Sequence, residues 1–157
     1  MEIRPTLELV NQWFGAAVPH NKWLGLTVEE ILDDGAISRL PHDDKLIGNP
    51  QTGFLHGGVI TSMVDASCGM AVFIAMRSPR RIATLDLRID YLRPTTPATD
   101  VLCKAQCYKL TRNVAFVKAL AYHDDDADPI ASAAGTFVIF TGDNRSTASA
   151  ALKKISS

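Results

Sequence analysis

Two features of one apolar stretch could do chemistry. The stretch opens with His56-Gly57-Gly58, where a loop turns into a long helix without proline, and it carries a single charge, Asp65, before Met76. The first N–H groups of a helix have no internal partners and lie at the positive end of its dipole. Such groups can bind an oxyanion, which polarises a carbonyl and stabilises the charge that develops in acyl transfer. The two glycines would let a ligand approach the backbone closely.

Asp65 lies about two turns into this helix, too deep to act as a cap. An ionised carboxylate in an apolar helix costs free energy unless it is hydrogen-bonded or put to use, so its presence predicts a functional site. Its apolar neighbours Met63, Val64 and Ala66 would partly remove it from water. His56 has two open interpretations: a capping or loop residue, or a residue that supports the site.

The spacing of Gly57 and Asp65 predicts an oligomer if both groups act on one carbonyl. The two residues are eight positions apart, which is about 12 Å along a helix. A reacting carbonyl needs its base or nucleophile within about 3–3.5 Å. One helix therefore cannot present both groups to the same carbonyl, but two antiparallel copies side by side can. We expect at least a homodimer with two composite sites.

The composition favours one soluble domain and excludes several classes of partner. The chain has 157 residues, of which 46% are hydrophobic and 21% charged, enough for a real core. A net charge of -1 gives no sign of nucleic acid or an anionic membrane as a partner. The N-terminus lacks an apolar signal core, and the three cysteines fit reduced, buried thiols, so we expect a cytoplasmic protein. We predict a single domain over 1–141 and a loosely packed tail over 142–157.

Other site classes find no support in the sequence. The four histidines are scattered and form no cluster with the cysteines, so no metal site is predicted. The acidic turn 124–128 fits a solvated hairpin tip better than a cation site. The chain has no nucleophile elbow, phosphate loop or dinucleotide fingerprint. The run 59–76 is long enough to span a membrane, but its small residues and Asp65 favour a buried core helix.

The pattern before the central helix predicts two small elements. A first helix over 5–17 is followed by a short connector in which Trp23 packs inward. Asp33-Asp34-Gly35 then predicts a hairpin between two strands. Residues 41–52 read as a polar loop.

The pattern after the central helix predicts a sheet. Four long strands are expected at 82–92, 99–110, 114–123 and 129–140. The first of them has the alternation of a strand: one set of residues interleaves with another, Ile82, Thr84, Asp86, Arg88 and Asp90 with Ala83, Leu85, Leu87, Ile89 and Tyr91. Two runs of strands separated by one buried helix indicate an α+β protein, in which a curved antiparallel sheet wraps that helix.

These residues resemble the hot-dog fold thioesterases, within the 4-hydroxybenzoyl-CoA thioesterase superfamily and its phenylacetate-pathway branch. The matching motifs, within residues 20–140, are the stretch 53–58, Asp65, the strand segment 84–94 and the turn 110–113. The resemblance implies a hot-dog fold, a curved antiparallel sheet around one long helix. It also implies hydrolysis of acyl-CoA thioesters by a homodimer or a dimer of dimers, without a metal or an organic cofactor.

The resemblance also implies catalytic roles. The Gly57 amide would polarise the thioester carbonyl, and Asp65 of the facing subunit would act as nucleophile or as general base on water. Asn49 resembles a loop residue that holds water or the carbonyl, and Thr84 resembles a hydroxyl that orients the attacking water. The other interpretations, a turn residue before Pro50 and a strand residue chosen for β propensity, stay open.

Substrate contacts follow from the same comparison. Gly58 and Met63 are expected to contact the acyl thioester, within an apolar wall of Leu55, Val59, Met70 and Phe73. Arg112 and Arg93, with Arg80 and Arg81, are candidates for the CoA phosphates, although each taken alone fits a plain surface charge better. By resemblance, Arg112 in the turn 110–113 is the strongest candidate. Apolar pockets discriminate weakly, by about 1–3 kcal/mol per methylene, so a range of small to medium aliphatic or aromatic acyl groups is expected.

Three alternatives to a thioesterase remain. The first is a non-catalytic module that binds or senses acyl-CoA on the same fold. The second is a hydratase acting on enoyl thioesters, which would need a histidine paired with the acid in a different motif. The third is a structural domain that dimerises through its sheet.

Overall fold

Residues 5–140 form a six-stranded antiparallel sheet that packs against one long helix. The computed structural model describes residues 5–140. The sheet has six strands in the order β1-β2-β6-β7-β8-β5, and a separate two-stranded ladder joins β3 and β4. The strands are β1 Thr27–Ile31, β2 Gly35–Leu40, β3 Ile47–Asn49, β4 Phe54–Leu55, β5 Ile82–Tyr91, β6 Val101–Leu110, β7 Val114–Tyr122 and β8 Ala131–Ile139. The helices are α1 Leu7–Asn11, which continues as a π-helical segment Gln12–Ala17, α2 Pro19–Leu24 and α3 Gly57–Met76. The predicted α+β architecture is confirmed.

Helix α3 is the core helix because it is apolar on nearly every face. Its buried side chains include Ile60, Met63, Val64, Cys68 and Val72. By length and composition α3 could cross a membrane, but more than half of its most apolar window is buried inside the protein. The three cysteines are free and buried, as predicted. Burial raises the pKa of the Cys103 thiol to about 12.

Strand β5 departs from the regular alternation expected from the sequence. It is the last strand in the sheet order, and among the described strands it pairs with β8 alone. Its register with β8 shifts between Thr84 and Asp86, which leaves Leu85 as a bulge. A bulge reverses the faces of the residues beyond it. Thr84 and Tyr91 therefore both point towards α3, although they belong to the two different sets of the alternating sequence pattern.

Three further expectations have definite outcomes. Trp23 is 55% exposed, and the ammonium of Lys45 lies 4.8 Å from its ring centroid, so the inward packing predicted for this residue is wrong. The expected loop 41–52 contains a 3-10 turn, Asp44–Leu46, and the strand β3. The tail predicted for 142–157 lies outside the described residues.

Candidate active site

The start of α3 presents one unpaired backbone donor. His56 is the N-cap residue, and its ring Nδ1 accepts a hydrogen bond from the Gly58 N–H at 2.9 Å. The His56 carbonyl accepts from the Val59 N–H at 2.9 Å. Within residues 5–140 the Gly57 N–H has no acceptor, and Gly57 is exposed. This N–H therefore has the position and the freedom that an oxyanion donor requires.

The segment before the helix is held by the β3–β4 ladder and one threonine. The His56 N–H donates to the Leu46 carbonyl at 2.9 Å. The Leu55 N–H donates to the Thr95 hydroxyl at 2.9 Å. An added Cβ at Gly48 would lie 2.8 Å from the His56 Cα, so only glycine permits this close approach. The backbone that leads into α3 is thus held by Leu46 and Gly48 at His56 and by Thr95 at Leu55.

Asn49 organises the turn between β3 and β4. Its side-chain oxygen accepts from the Gln51 N–H at 3.0 Å, and its carbonyl accepts from the Gly53 N–H at 2.9 Å. Both contacts fit the turn interpretation. Within the described chain, the side-chain oxygen of Asn49 is engaged locally, and the predicted contact with water or the carbonyl stays a prediction.

Asp65 and Thr84 form the second half of the site. The Thr84 hydroxyl donates to Oδ1 of Asp65 at 2.8 Å. Asp65 is half-buried, and no ion pair involves it within residues 5–140. Its second oxygen, Oδ2, accepts no hydrogen bond from the described residues. An oriented carboxylate with one free oxygen can take a proton from water or attack a carbonyl.

The one cysteine close to Asp65 is unsuited to be a nucleophile. Cys68 is fully buried on the same helix. Burial raises the pKa of the Cys68 thiol well above its usual range, and the nearby Cys103 and Asp65 add to this rise. A thiol held neutral and inaccessible does not attack a substrate.

The single chain does not bring Gly57 and Asp65 together. They lie eight residues apart on α3, about 12 Å along the axis. Opposite them on β5, Tyr91 lies beside Gly57 and Thr84 lies beside Asp65. One chain therefore carries two separate half-sites along the same edge of the molecule.

The predicted basic residues fall into two environments. Arg93 forms an ion pair with Asp128, with Nη2 to Oδ2 at 3.2 Å, and its Nη2 also donates to the Asp128 carbonyl at 3.0 Å. Its guanidinium is therefore already engaged, which weighs against the predicted phosphate role. Arg112 is exposed at the β6–β7 turn, and its carbonyl accepts from Arg80 Nη1 at 3.4 Å. Arg80 and Arg112 are thus neighbours.

The predicted apolar contacts differ in accessibility. Met63 is fully buried, 0% exposed, so in the single chain it packs in the core and lines no open surface. Val59 and Phe73 are half-buried. Gly58 is exposed, but its N–H is engaged by His56. Of this group, Val59 keeps partial exposure next to Gly58, whereas the Phe73 ring packs edge-on against Trp13, with ring centroids 4.4 Å apart.

Tyr91 is a site residue to which no pattern in the sequence assigned a role. Its hydroxyl donates to the Gly57 carbonyl at 2.7 Å and lies 2.6 Å from the Thr61 hydroxyl. The bulge at Leu85, which places Tyr91 on this face, has no clear signal in the sequence of one strand.

Comparisons with known proteins identify the family. The model described as the thioesterase superfamily matches residues 52–130. The chain is 33% identical over 129 residues to a putative esterase from Halobacterium salinarum, which covers 77% of this chain and 84% of the relative. It is 30% identical over 151 residues to the medium/long-chain acyl-CoA thioesterase YigI of Escherichia coli, with 85% and 93% covered. A crystal structure from Pseudomonas aeruginosa has 42% identity and a TM-score of 0.76, with 85% and 98% covered.

The chain therefore belongs to the thioesterase superfamily. The predicted hot-dog fold and the predicted thioester hydrolase are both confirmed. The phenylacetate-pathway branch is tested by none of these matches and stays a prediction.

Proposed function

We propose that this protein hydrolyses acyl-CoA thioesters with small to medium aliphatic or aromatic acyl groups, at sites shared between two copies of the chain. Acyl-CoA as the substrate class agrees with YigI, which is named a medium/long-chain acyl-CoA thioesterase. The observation that carries the proposal is the pair of complementary half-sites. One offers the unpaired Gly57 N–H, and the other offers the Asp65 carboxylate oriented by Thr84.

The outer edge of β5, which no strand within residues 5–140 covers, supports pairing between copies. Leu85 and Leu92, at the bulge and just beyond the end of β5, are 60% and 55% exposed. An exposed edge strand with apolar side chains is a template for another strand. An antiparallel pair whose two-fold axis passes through Arg88 would, because Leu85 is a bulge, place Thr84 level with Tyr91 of the partner subunit. The Asp65 half-site of one copy would then lie level with the Gly57 half-site of the other. Assembly of dimers into tetramers stays a prediction.

The chemistry would proceed through one oxyanion. In the general-base form, Asp65 takes a proton from a water molecule while the water oxygen attacks the thioester carbon. The resulting oxyanion accepts a hydrogen bond from the Gly57 N–H. The tetrahedral intermediate then collapses and the C–S bond breaks. The leaving CoA thiolate takes the proton from Asp65 and departs as the free thiol. In the nucleophilic form, the Asp65 oxygen attacks the thioester carbon and the C–S bond breaks, so the CoA thiolate leaves and a mixed anhydride remains. Water then hydrolyses this anhydride to the free acid and the Asp65 carboxylate.

Turnover of a thioester panel tests this function. We expect release of free thiol from short, medium and aromatic acyl-CoAs, followed with a thiol reagent. Tight binding of acyl-CoA without thiol release would instead indicate the sensing module. Addition of water to an enoyl-CoA, without thiol release, would indicate the hydratase.

Arg112 is the proposed contact for the CoA phosphates, because it is exposed and Arg80 lies beside it. Replacing Arg112 with glutamine should raise KM for acyl-CoA by about 2–5-fold, as expected for one solvent-exposed ionic contact. KM for the matching N-acetylcysteamine thioester, which lacks the nucleotide phosphates, should stay unchanged. Arg93→Gln is the matched control and should affect KM less, because Asp128 engages that side chain. Equal effects on both thioesters would exclude a phosphate contact.

A cytoplasmic location is also proposed. Its support is the set of free, buried cysteines, which suits a reducing compartment. Cell fractionation with an antibody against the protein would test it, and recovery in the membrane or secreted fraction would contradict it.

A further inference from the structure

The peptide that follows the proposed oxyanion donor is fixed at both of its ends. Its carbonyl, on Gly57, accepts from the Tyr91 hydroxyl at 2.7 Å. Its N–H, on Gly58, donates to His56 Nδ1 at 2.9 Å. The peptide before it has its carbonyl bonded to the Val59 N–H, at 2.9 Å. Of the four polar groups in these two peptides, only the Gly57 N–H lacks a partner within residues 5–140.

Tyr91 is itself held in place. Its hydroxyl lies 2.6 Å from the Thr61 hydroxyl, one turn further along α3. The Thr61 hydroxyl also lies within hydrogen-bond distance of the Gly57 carbonyl, at 3.3 Å, so the two hydroxyls and this carbonyl form one cluster. The ring packs against the glycine, because an added Cβ at Gly57 would lie 3.6 Å from three of its atoms. The aromatic residue of the edge strand thus touches Gly57 by both its ring and its hydroxyl.

We infer that Tyr91 is a positioning residue that aims the Gly57 N–H at the oxyanion. This inference rests on the proposed function. Glycine has the widest choice of backbone torsions of any residue, so the direction of its N–H must be fixed by contacts outside the residue. A hydrogen bond weakens steeply as its angle departs from linear. Loosening the Gly57–Gly58 peptide would therefore weaken a bond that forms fully only in the transition state.

The variant Tyr91→Phe removes the hydroxyl and keeps the ring. We expect kcat to fall about tenfold, part of the about 10²–10³-fold effect of losing a whole oxyanion donor. KM should change less than about twofold, because the contact acts on the transition state. The melting temperature and the oligomeric state should stay those of the wild type. Tyr108→Phe is the matched control, since Tyr108 is a similarly exposed tyrosine on β6, and its kinetics should be unchanged.

A double-mutant cycle separates positioning from a general structural role. Gly57→Pro lacks the N–H that Tyr91 would aim. Adding Tyr91→Phe to Gly57→Pro should therefore cost no further kcat. A further tenfold loss in that background would overturn the inference, because Tyr91 would then act by another route. Thr61→Val provides a second variant if Tyr91→Phe fails to fold. It should lower kcat in the same way by a smaller factor, and an unchanged kcat would overturn the inference.

The outcomes for the function and for Tyr91 are distinct. A wild type that turns over acyl-CoA, with kcat of Tyr91→Phe unchanged, overturns the positioning role and leaves the thioesterase intact. A wild type without turnover on the whole panel overturns the proposed function, and the role of Tyr91 with it.

Discussion

Replacing Asp65 with asparagine should lower kcat by about 10³-fold, within the range expected for loss of a general base. The amide has nearly the same shape as the carboxylate, and its oxygen can still accept from the Thr84 hydroxyl, which donates to Oδ1 at 2.8 Å in the wild type. It can neither take a proton from water at neutral pH nor attack a carbonyl. The loss should therefore appear in kcat, while the fold and the oligomer persist. Steady-state kinetics with thiol detection, beside a thermal melt, measure both.

Asp124→Asn is the control for this experiment. Asp124 is exposed on the β7–β8 turn, so the same chemical change there should leave kcat within about twofold. If Asp65→Asn kept wild-type turnover, Asp65 would be a structural residue bonded to Thr84, and the hydrolytic site would lie elsewhere.

Replacing Gly57 with proline should lower kcat by about 10²–10³-fold, because it deletes the proposed oxyanion donor itself. Proline suits this place in the backbone. Gly57 is the first residue of α3, where proline is well tolerated. His56 before it has φ -62 and ψ 133, the extended conformation that a residue preceding proline adopts. The helix should therefore form while its free N–H is lost, which circular dichroism and kinetics can measure together.

Gly57→Ala separates the N–H from the size of the side chain. Its methyl group would meet Tyr91 ring atoms at 3.6 Å, an ordinary contact, and the N–H remains. Its loss of kcat should be much smaller than that of Gly57→Pro. Equal losses in the two variants would show that bulk at this position, rather than the missing donor, causes the defect.

The order of the elements could be predicted because the strongest patterns are local. A run of apolar residues with one charge is enough to place α3 in the core. Each of the four strands after α3 lies within two residues of its predicted bounds. The hairpin at Asp33-Asp34-Gly35 also forms, with the Leu32 N–H donating to the Gly35 carbonyl at 2.8 Å. Composition and turn chemistry decide these features without long-range information.

The contacts within the half-sites depend on packing that local patterns do not encode. The bulge at Leu85 is set by the register of β5 against β8, and it alone brings Tyr91 onto the face of Gly57. The sequence predicts Arg93 as a phosphate contact, but Asp128, in the turn between β7 and β8, forms an ion pair with its guanidinium. Its large apolar side chain predicts that Trp23 packs in the core, yet Trp23 lies on the surface with the Lys45 ammonium over its ring.

Asp65, Gly57 and Thr84 could nevertheless be selected from the sequence. The first is a charge in an apolar helix, and the second is a glycine at a helix start. The family resemblance indicates Thr84, and in the structure its hydroxyl donates a hydrogen bond to the Asp65 carboxylate. The separation of Gly57 and Asp65 on one helix is therefore readable from the sequence, and the contacts that complete each half-site come from β5.

A heterodimer of the two inactive variants tests the shared site most directly. Subunits carrying Asp65→Asn and Gly57→Pro, with different affinity tags, can be co-expressed and purified as a mixed dimer. One of its two sites would combine an intact Asp65 with an intact Gly57 from the other subunit, and the second site would lack both. We predict about half of the wild-type kcat per dimer, although each parent homodimer is nearly inactive. A mixed dimer as inactive as its parents would contradict the account, because both groups would then have to come from the same chain.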